Sequence, residues 1–226
     1  MKVKLTIEKL IEEAKNFCDQ ESQYDNADLY GVTDGKAVGT FIEHKFGNYL
    51  DEKYFFTKGS SANGIDLPSD DVSTDIKVTS IKQPQSSCPF KDAKQKIYGL
   101  GYNLLVFVYD KADDITKEVA KLDFVSCTFI KKERTADYQT TSTLRQMIEN
   151  DANMDDIIGY LMDRNIPADE ITLNQLAEEI LKNKPVQGYL TISNALQWRL
   201  QYGRIVRLGE EIDGIIRIVD KVNGDE

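Results

Sequence analysis

The sequence predicts an α/β fold with a mixed central sheet flanked by helices, followed by a smaller region of different pattern. Apolar residues at helical spacing predict two amphipathic helices, over residues 5–18 and 37–50. The alternating segment 72–80 predicts a half-buried strand. The continuous apolar run 104–108 is typical of a central strand buried on both faces, and a further strand is predicted over 122–130. With a crossover helix before the central strand, this order indicates a mixed sheet covered by helices.

Composition places the chain among globular proteins and points away from membranes. Its 226 residues are 41% hydrophobic and 29% charged. No stretch approaches the ~20 apolar residues of a membrane helix, and the first residues lack a signal-peptide pattern. The three cysteines, Cys18, Cys88 and Cys127, have no metal-type spacing, and an odd count argues against a disulfide framework. We therefore expect a cytoplasmic protein with no membrane partner.

The charge of the chain is unevenly distributed. A net charge of -10 argues against a nucleic-acid partner, but mean charge is a poor guide when charges are segregated. Residues 76–91 and 181–209 contain no Asp or Glu and carry several lysines and arginines. The simpler interpretation is chance and solvated faces. Two basic segments in an acidic chain nevertheless favour an anionic partner.

The strand over 72–80 carries a candidate metal and water site. Asp75 and Lys77 are two positions apart and so share one face. Asp66 ends a short strand predicted to pair with this one, which places opposed side chains roughly 5 Å apart. Two carboxylates at that distance repel each other unless a cation joins them, and magnesium prefers such ligands. Lys77 would orient a water and stabilise charge on a phosphate, and Glu43 on the preceding helix is a further ligand.

An Asp-x-Lys tripeptide alone is more often a solvated surface pair, but here it occurs with a second acid and a helix acid. This arrangement resembles the PD-(D/E)xK nucleases, the superfamily of many restriction endonucleases. The resemblance rests on Gly-Ile-Asp at 64–66, Asp-Ile-Lys at 75–77 and the upstream Glu43, although Ile65 stands where the motif has proline. It implies a restriction-endonuclease-like core, magnesium (Mg²⁺) as cofactor and double-stranded DNA as substrate. It also implies metal binding by Asp66, Asp75 and Glu43, and catalysis by Lys77.

The pattern changes after the polar stretch 131–143. Short helices are predicted over 144–150, 154–164 and 172–182, the last with a capping box beginning at Thr172. A helix over 193–202 and a hairpin of strands 204–208 and 215–219 follow. Helices followed by a β-hairpin are typical of a winged helix-turn-helix. We therefore predict two domains, a nuclease domain over 1–140 and a winged-helix DNA-binding domain over 141–226.

The predicted 193–202 helix has a polar side suited to reading bases. Amide side chains pair with adenine in the major groove, and the basic side chains would hold backbone phosphates. The predicted DNA contacts are Asn194, Gln197, Gln201, Arg204, Arg207 and Lys96. A helical bundle used for dimerisation or domain packing is the alternative for this region. The domain order is also similar to that of methyl-directed restriction endonucleases.

These expectations combine into one functional hypothesis with two alternatives. We expect a magnesium-dependent endonuclease that cleaves double-stranded DNA, of the type II restriction enzyme class. The alternatives are a winged-helix regulator that binds DNA without chemistry, and a nuclease acting on structured or damaged DNA in repair. The resemblance leaves the oligomeric state open between a monomer and a homodimer.

Overall fold

A four-stranded mixed sheet organises the chain. The computed structural model describes residues 2–59, 64–88, 91–193 and 198–224. The described helices are α1 (Ile7–Glu21), α2 (Gly35–Lys53), α3 (Lys94–Tyr98), α4 (Tyr138–Glu149), α5 (Met154–Asp163), α6 (Glu170–Lys182) and α7 (Gly203–Val206). The described strands are β1 (Val3–Lys4), β2 (Tyr54–Phe55), β3 (Thr74–Ser80), β4 (Gln85–Cys88), β5 (Asn103–Asp114), β6 (Val119–Ile130), β7 (Thr191–Ile192), β8 (Trp198–Gln201) and β9 (Ile215–Asp220).

The strand order of the central sheet is β3-β5-β6-β9. β3 runs parallel to β5, with Thr74 opposite Asn103, whereas β6 runs antiparallel to both of its neighbours, β5 and β9. Parallel neighbours need a crossover connection, and the chain supplies one through β4 and α3. The predicted mixed sheet flanked by helices is therefore confirmed, with β3 as an edge strand.

Alternate residues of β5 point into two different cores. Leu105 and Phe107 face α1 and α2, where the Phe107 ring lies 5.0 Å from Phe46 and 5.9 Å from Phe17 between centroids. Both pairs have tilted edge-to-face geometry, which aromatic rings prefer. This core fixes α2 against β3 and β5, so it fixes the helix that carries Glu43.

The opposite face of β5 is covered by a second sheet. Leu104 and Val106 pack there against Trp198 and Leu200 of β8, in a three-stranded sheet with the order β4-β8-β7. Burial on both faces accounts for the continuous apolar run that predicted a central strand. A third core joins α3 to α4, α5 and α6.

The structure corrects the predicted elements of the last third of the chain. Residues 198–201 form β8 and not part of a helix, while Gly203–Val206 is a short helix and not a strand. β9 confirms the strand predicted over 215–219, but it pairs with β6 and not with 204–208. The winged-helix order of elements is therefore wrong over the described residues 198–219. Long-range pairing of β8 with β4 overrides the local helical pattern, and strand pairing crosses the predicted boundary at residue 140.

Two smaller predictions are also corrected. The α6 N-cap is Asp169, whose side chain accepts a hydrogen bond from the Thr172 N–H at 2.8 Å, so the predicted capping box at Thr172 is wrong. The short strand predicted at Asp66, to pair with the strand over 72–80, is reduced to a single bridge between Leu67 and Thr74. No helix in the described part of the chain has the length and apolar character needed to cross a membrane.

A buried carboxylate joins α1 to the end of α2. Glu13 is 6% exposed and accepts hydrogen bonds from Tyr49 Oη at 2.6 Å, Lys53 Nζ at 2.7 Å and Tyr54 Oη at 2.7 Å. Burial alone would raise the pKa of Glu13, but these donors outweigh it and lower the pKa to about 2. The charged form is therefore stabilised in the folded protein.

We expect Glu13→Gln to lower the free energy of unfolding by about 2 kcal/mol at neutral pH, because a depressed carboxyl pKa is a contribution to stability. That contribution is complete above the unfolded pKa near 4.5 and is lost as the pH falls toward the folded pKa of about 2. Urea unfolding of wild type and variant across the acid range measures the difference. Glu12→Gln, at an exposed position of the same helix, is the matched control. A constant difference at all pH values would contradict the prediction.

Candidate active site

The edge strand β3 presents Asp75 and Lys77 on one face of the central sheet. Ile76 and Val78 point the other way into the core with α1 and α2, as the alternating sequence predicts. Asp75 lies opposite Leu104 of β5, so it shares the face that the second sheet covers. Asp75 is only 3% exposed. The predicted pair is therefore set into a partly buried surface.

Asp75 and Lys77 form an ion pair. Lys77 Nζ lies 2.7 Å from Asp75 Oδ2, and the side chain of Lys77 is 21% exposed. Charged groups out of water are costly unless they are paired, so each partner favours the charged form of the other. The lysine is thus held beside the carboxylate, and an ammonium group has further N–H donors beyond the one used in this pair.

Two further acids line the outer edge of β3, where an edge strand has unpaired N–H groups. Asp66 Oδ2 accepts a hydrogen bond from the Ile76 N–H at 2.8 Å. The backbone N–H of Val78, two residues further along the strand, interacts with the Glu43 carboxylate. The carboxylate of Asp66 is also near enough to Asp75 to raise the pKa of Asp75. The four predicted catalytic residues therefore converge on this short strand.

A close helix–strand contact positions Glu43. A Cβ added at Gly39 would lie 3.1 Å from the backbone oxygen of Val78, so glycine lets α2 approach β3 closely. Glu43 follows Gly39 by four residues and so projects from the same side of α2. The two other acids near the end of this helix do not take part, since Asp51 pairs with Lys58 at 3.2 Å and Glu52 is exposed.

Sequence reasoning missed Asn103, which holds the chain just before Asp75. The Asn103 side chain donates to the Val72 carbonyl at 2.9 Å, and its N–H donates to the Ser73 carbonyl at 2.8 Å. Ser73 has a φ of 34°, a left-handed conformation that is unusual for a residue other than glycine. Asn103 therefore fixes a strained turn at the start of β3. Asparagine next to a strand usually marks a turn, so the sequence carries no signal of this role.

Burial and mutual repulsion raise the pKa values of two acids of the site. Burial raises the pKa of Asp75 to about 7; Lys77 opposes the rise and Asp66 adds to it. Burial likewise raises the pKa of Glu43 to about 7, with Lys77 opposing and Asp66 and Asp75 adding. Burial would lower the pKa of Lys77, but the carboxylates of Asp75, Glu43 and Asp66 outweigh it and raise this pKa. The four residues thus form an acidic cluster around the partly buried cation of Lys77.

The carboxylate oxygens of the site suit a magnesium ion whose coordination is completed by other ligands. No group of three or more His, Cys, Asp or Glu side chains in the described residues forms a ready-made metal cluster. Magnesium is usually bound by one or two carboxylates, with waters and substrate phosphates as further ligands. Asp66 and Asp75 supply such a carboxylate pair, and Glu43 stands beside them. These residues therefore fit a magnesium site that substrate helps to complete.

The predicted DNA contacts do not share one recognition helix. Gln201 is exposed on β8, and Arg207 is exposed directly after α7. The Arg204 guanidinium lies 3.6 Å from the centroid of the Tyr138 ring, a cation–π contact. Lys96 is 3% exposed and burial lowers its pKa, so it lies in the interior and not on the basic surface. The remaining two contacts, Asn194 and Gln197, lie outside the described residues.

Comparison with known proteins decides the family. Residues 4–217 match the model of the family described as type II restriction enzyme NspV. The chain belongs to the NspV family of type II restriction enzymes. It is 55% identical to the type II restriction enzyme NspV of Nostoc sp. (strain ATCC 29411 / PCC 7524), over 95% of this chain and 96% of the relative. No solved structure gives a significant match. Membership of the NspV family places the chain among site-specific DNA endonucleases, as the sequence predicts.

In this member of the NspV family, the two partners of Asp75 should shift its titration in opposite directions. We expect Asp66→Asn to lower the pKa of Asp75 from about 7, because it removes a neighbouring negative charge. We expect Lys77→Met to raise it, because it removes the paired cation. Carbon-detected NMR of labelled carboxyl groups over the neutral pH range measures both shifts. Asp70→Asn, in the exposed turn before the strand, is the control and should leave Asp75 unchanged. Shifts of the same sign in the two site variants would refute this account of the cluster.

Proposed function

We propose that this chain is a magnesium-dependent type II restriction endonuclease of the PD-(D/E)xK kind, hydrolysing phosphodiester bonds of double-stranded DNA at the edge of β3. The observation that carries the proposal is the convergence of Glu43, Asp66, Asp75 and Lys77 on this strand. These residue types, in this arrangement, are those that the resemblance to the superfamily implies.

Metal binding in this proposal falls to the acids. Asp66 and Asp75 would hold Mg²⁺, and Glu43 would assist, since all three offer the hard oxygen donors that magnesium prefers. When bound, the ion supplies Lewis-acid stabilisation of the phosphate and lowers the pKa of a bound water. It would also offset the burial, and the smaller repulsion between the carboxylates, that raise the pKa of Asp75 and Glu43 to about 7.

Lys77 would act on the reacting atoms. Its ammonium is anchored by Asp75 at 2.7 Å, so its direction is set before substrate arrives. From there it would orient the attacking water and donate a hydrogen bond to a phosphate oxygen as negative charge grows. The attacking water loses one proton to solvent as its oxygen bonds to phosphorus. The bond from phosphorus to the leaving sugar oxygen breaks, and that oxygen takes up one proton, so the protons balance.

We assign most of the DNA contacts to the chain beyond residue 140 and retain 1–140 as the nuclease region. Gln201, Arg204 and Arg207 support this assignment, because all three lie in the acid-free segment 181–209. Basic side chains without neighbouring acids favour phosphate contacts and give salt-dependent affinity.

Removing either partner of the ion pair should abolish cleavage. We expect Asp75→Asn and Lys77→Met each to slow plasmid cleavage by about 100-fold or more, because each removes a group that acts on the transition state. Binding of the same DNA in EDTA, measured by gel shift, should be largely retained. Glu52→Gln, an exposed acid on α2, is the matched control and should cleave normally, whereas Glu43→Gln should be impaired.

The same assay separates the alternatives. Discrete plasmid fragments with Mg²⁺ and none with EDTA support a restriction enzyme, and random nicking indicates a repair or structure-specific nuclease. DNA binding without cleavage by the wild type indicates a regulator without chemistry. Normal cleavage by Asp75→Asn would show that β3 does not carry the active site.

Cleavage should rise with pH through the neutral range. Asp75 and Glu43, with a pKa of about 7 each, must be ionised to hold a cation, so their protonated forms at lower pH are inactive. We expect roughly a tenfold or greater gain in rate between about pH 6 and about pH 8 at low magnesium. Because the ion competes with protons, raising the magnesium concentration should move the midpoint to lower pH. Single-turnover rates over a grid of pH and Mg²⁺ measure both effects. A midpoint independent of magnesium would contradict this role for the acids.

A further inference from the structure

The two acid-free segments of the sequence, 76–91 and 181–209, meet in one sheet. β4 lies in the first segment, and β7 and β8 lie in the second. β4 and β8 are antiparallel neighbours, with Gln85 opposite Gln201. β8 and β7 are also antiparallel, with Gln201 opposite Thr191. Segments that are far apart along an acidic chain therefore build one surface whose strands carry no carboxylate.

The two faces of this sheet differ in character. Its inner face is apolar and packs against β5, through the buried residues Cys88, Ile192, Trp198 and Leu200. Its outer face carries two polar rows, Gln85–Gln201–Thr191 and Ser87–Arg199. The side chains of Gln85, Arg199 and Gln201 hydrogen bond to no other residue in the described part of the chain. Their donors and acceptors are available to a ligand.

The outer rows lie next to the candidate active site. β4 follows β3 after a short connection, and the Gln85 N–H donates to Thr79 Oγ1 of β3 at 3.1 Å. Asp75 and Lys77 point to the side of the central sheet that this second sheet covers, and both influence the pKa of Cys88 at the end of β4. A duplex held on the second sheet would therefore lie beside the proposed cleavage site.

We propose that the outer face of β4 and β8 reads the DNA sequence from the major groove. The inference rests on the proposed function and names Gln85, Ser87, Arg199 and Gln201 as the reading residues. A two-stranded ribbon fits the major groove, which is about 12 Å wide. Glutamine makes paired hydrogen bonds to adenine and arginine to guanine, so these side chains suit direct readout. An acid-free surface on a chain of net charge -10 adds charge complementarity to DNA.

The basic residues after β8 flank this face. Arg204 and Arg207 lie on and just after α7, which follows β8 directly, and both are exposed. They share a concave surface with Thr191 of β7 and with Glu210, so this flank is not free of acids. We assign them to phosphate contacts, which orient the duplex without reading bases.

The test compares specific with non-specific binding. The cleavage site of the wild type is first mapped on plasmid DNA. Fluorescence anisotropy, in EDTA and again with Ca²⁺, then measures binding to a labelled duplex with that site and to one with a single base pair changed. We expect Arg199→Ala and Gln201→Ala to lose roughly 10- to 100-fold in affinity for the site, with little change for the altered duplex. Arg207→Ala should weaken binding to the two duplexes equally. It should also reduce the number of ions released on binding, measured from the salt dependence of the affinity, by about one.

Matched control variants test whether any surface substitution weakens DNA binding. Gln146→Ala and Lys15→Ala change exposed residues of α4 and α1, away from the reading face, and should bind as the wild type does. Arg199→Lys keeps the charge but loses the paired geometry, so it should lose discrimination and retain non-specific binding even if the alanine variant folds poorly.

The outcomes distinguish the two proposals. A wild type that cuts no DNA overturns the proposed function. A wild type that cuts one sequence, with Arg199→Lys and Gln201→Ala discriminating normally, overturns the reading face alone. Loss of discrimination in both variants with controls unchanged supports it.

Discussion

The ion pair between Asp75 and Lys77 is the interaction on which the candidate site depends. An edge strand has free backbone donors, and here they draw in Asp66 and Glu43, which brings three acids to one short strand. Such a cluster in a partly buried place is unfavourable without a cation. Lys77 supplies that cation within the protein itself, so the acids are assembled before any other positive charge arrives.

The surroundings of the pair are built to hold this arrangement in place. Gly39 lets α2 approach β3, and Asn103 fixes the strained turn at Ser73. Gly39 belongs to a helix packed on the central sheet and Asn103 belongs to β5 of that sheet; the first acts at Val78 and the second on the turn before β3. A rigid frame around a small set of charged side chains is what precise positioning of substrate requires.

The sequence was informative where structure depends on local pattern. Alternation over β3 predicted which side chains face the site, and helical spacing placed Glu43 upstream of it. The same reasoning failed over 198–201, where the amphipathic pattern around Leu200 suggested a helix. Trp198–Gln201 is a strand because β4, more than a hundred residues earlier, offers it a partner, and no local window contains that information. Asn103 was missed because its role depends on the turn it meets in space.

The position of β9 has a consequence for how the protein is made. This strand comes from residues 215–220 yet completes the central sheet against β6, which ends at residue 130. Until the ribosome has released that last strand, the outer edge of β6 from Ser126 to Ile130 has no neighbour to take its backbone hydrogen bonds. Because β7 and β8 follow β3 in the chain by more than a hundred residues, a nascent chain carries the candidate site residues of β3 well before the strands of the proposed reading face. Translation order thus produces the candidate catalytic strand before the surface proposed to select DNA.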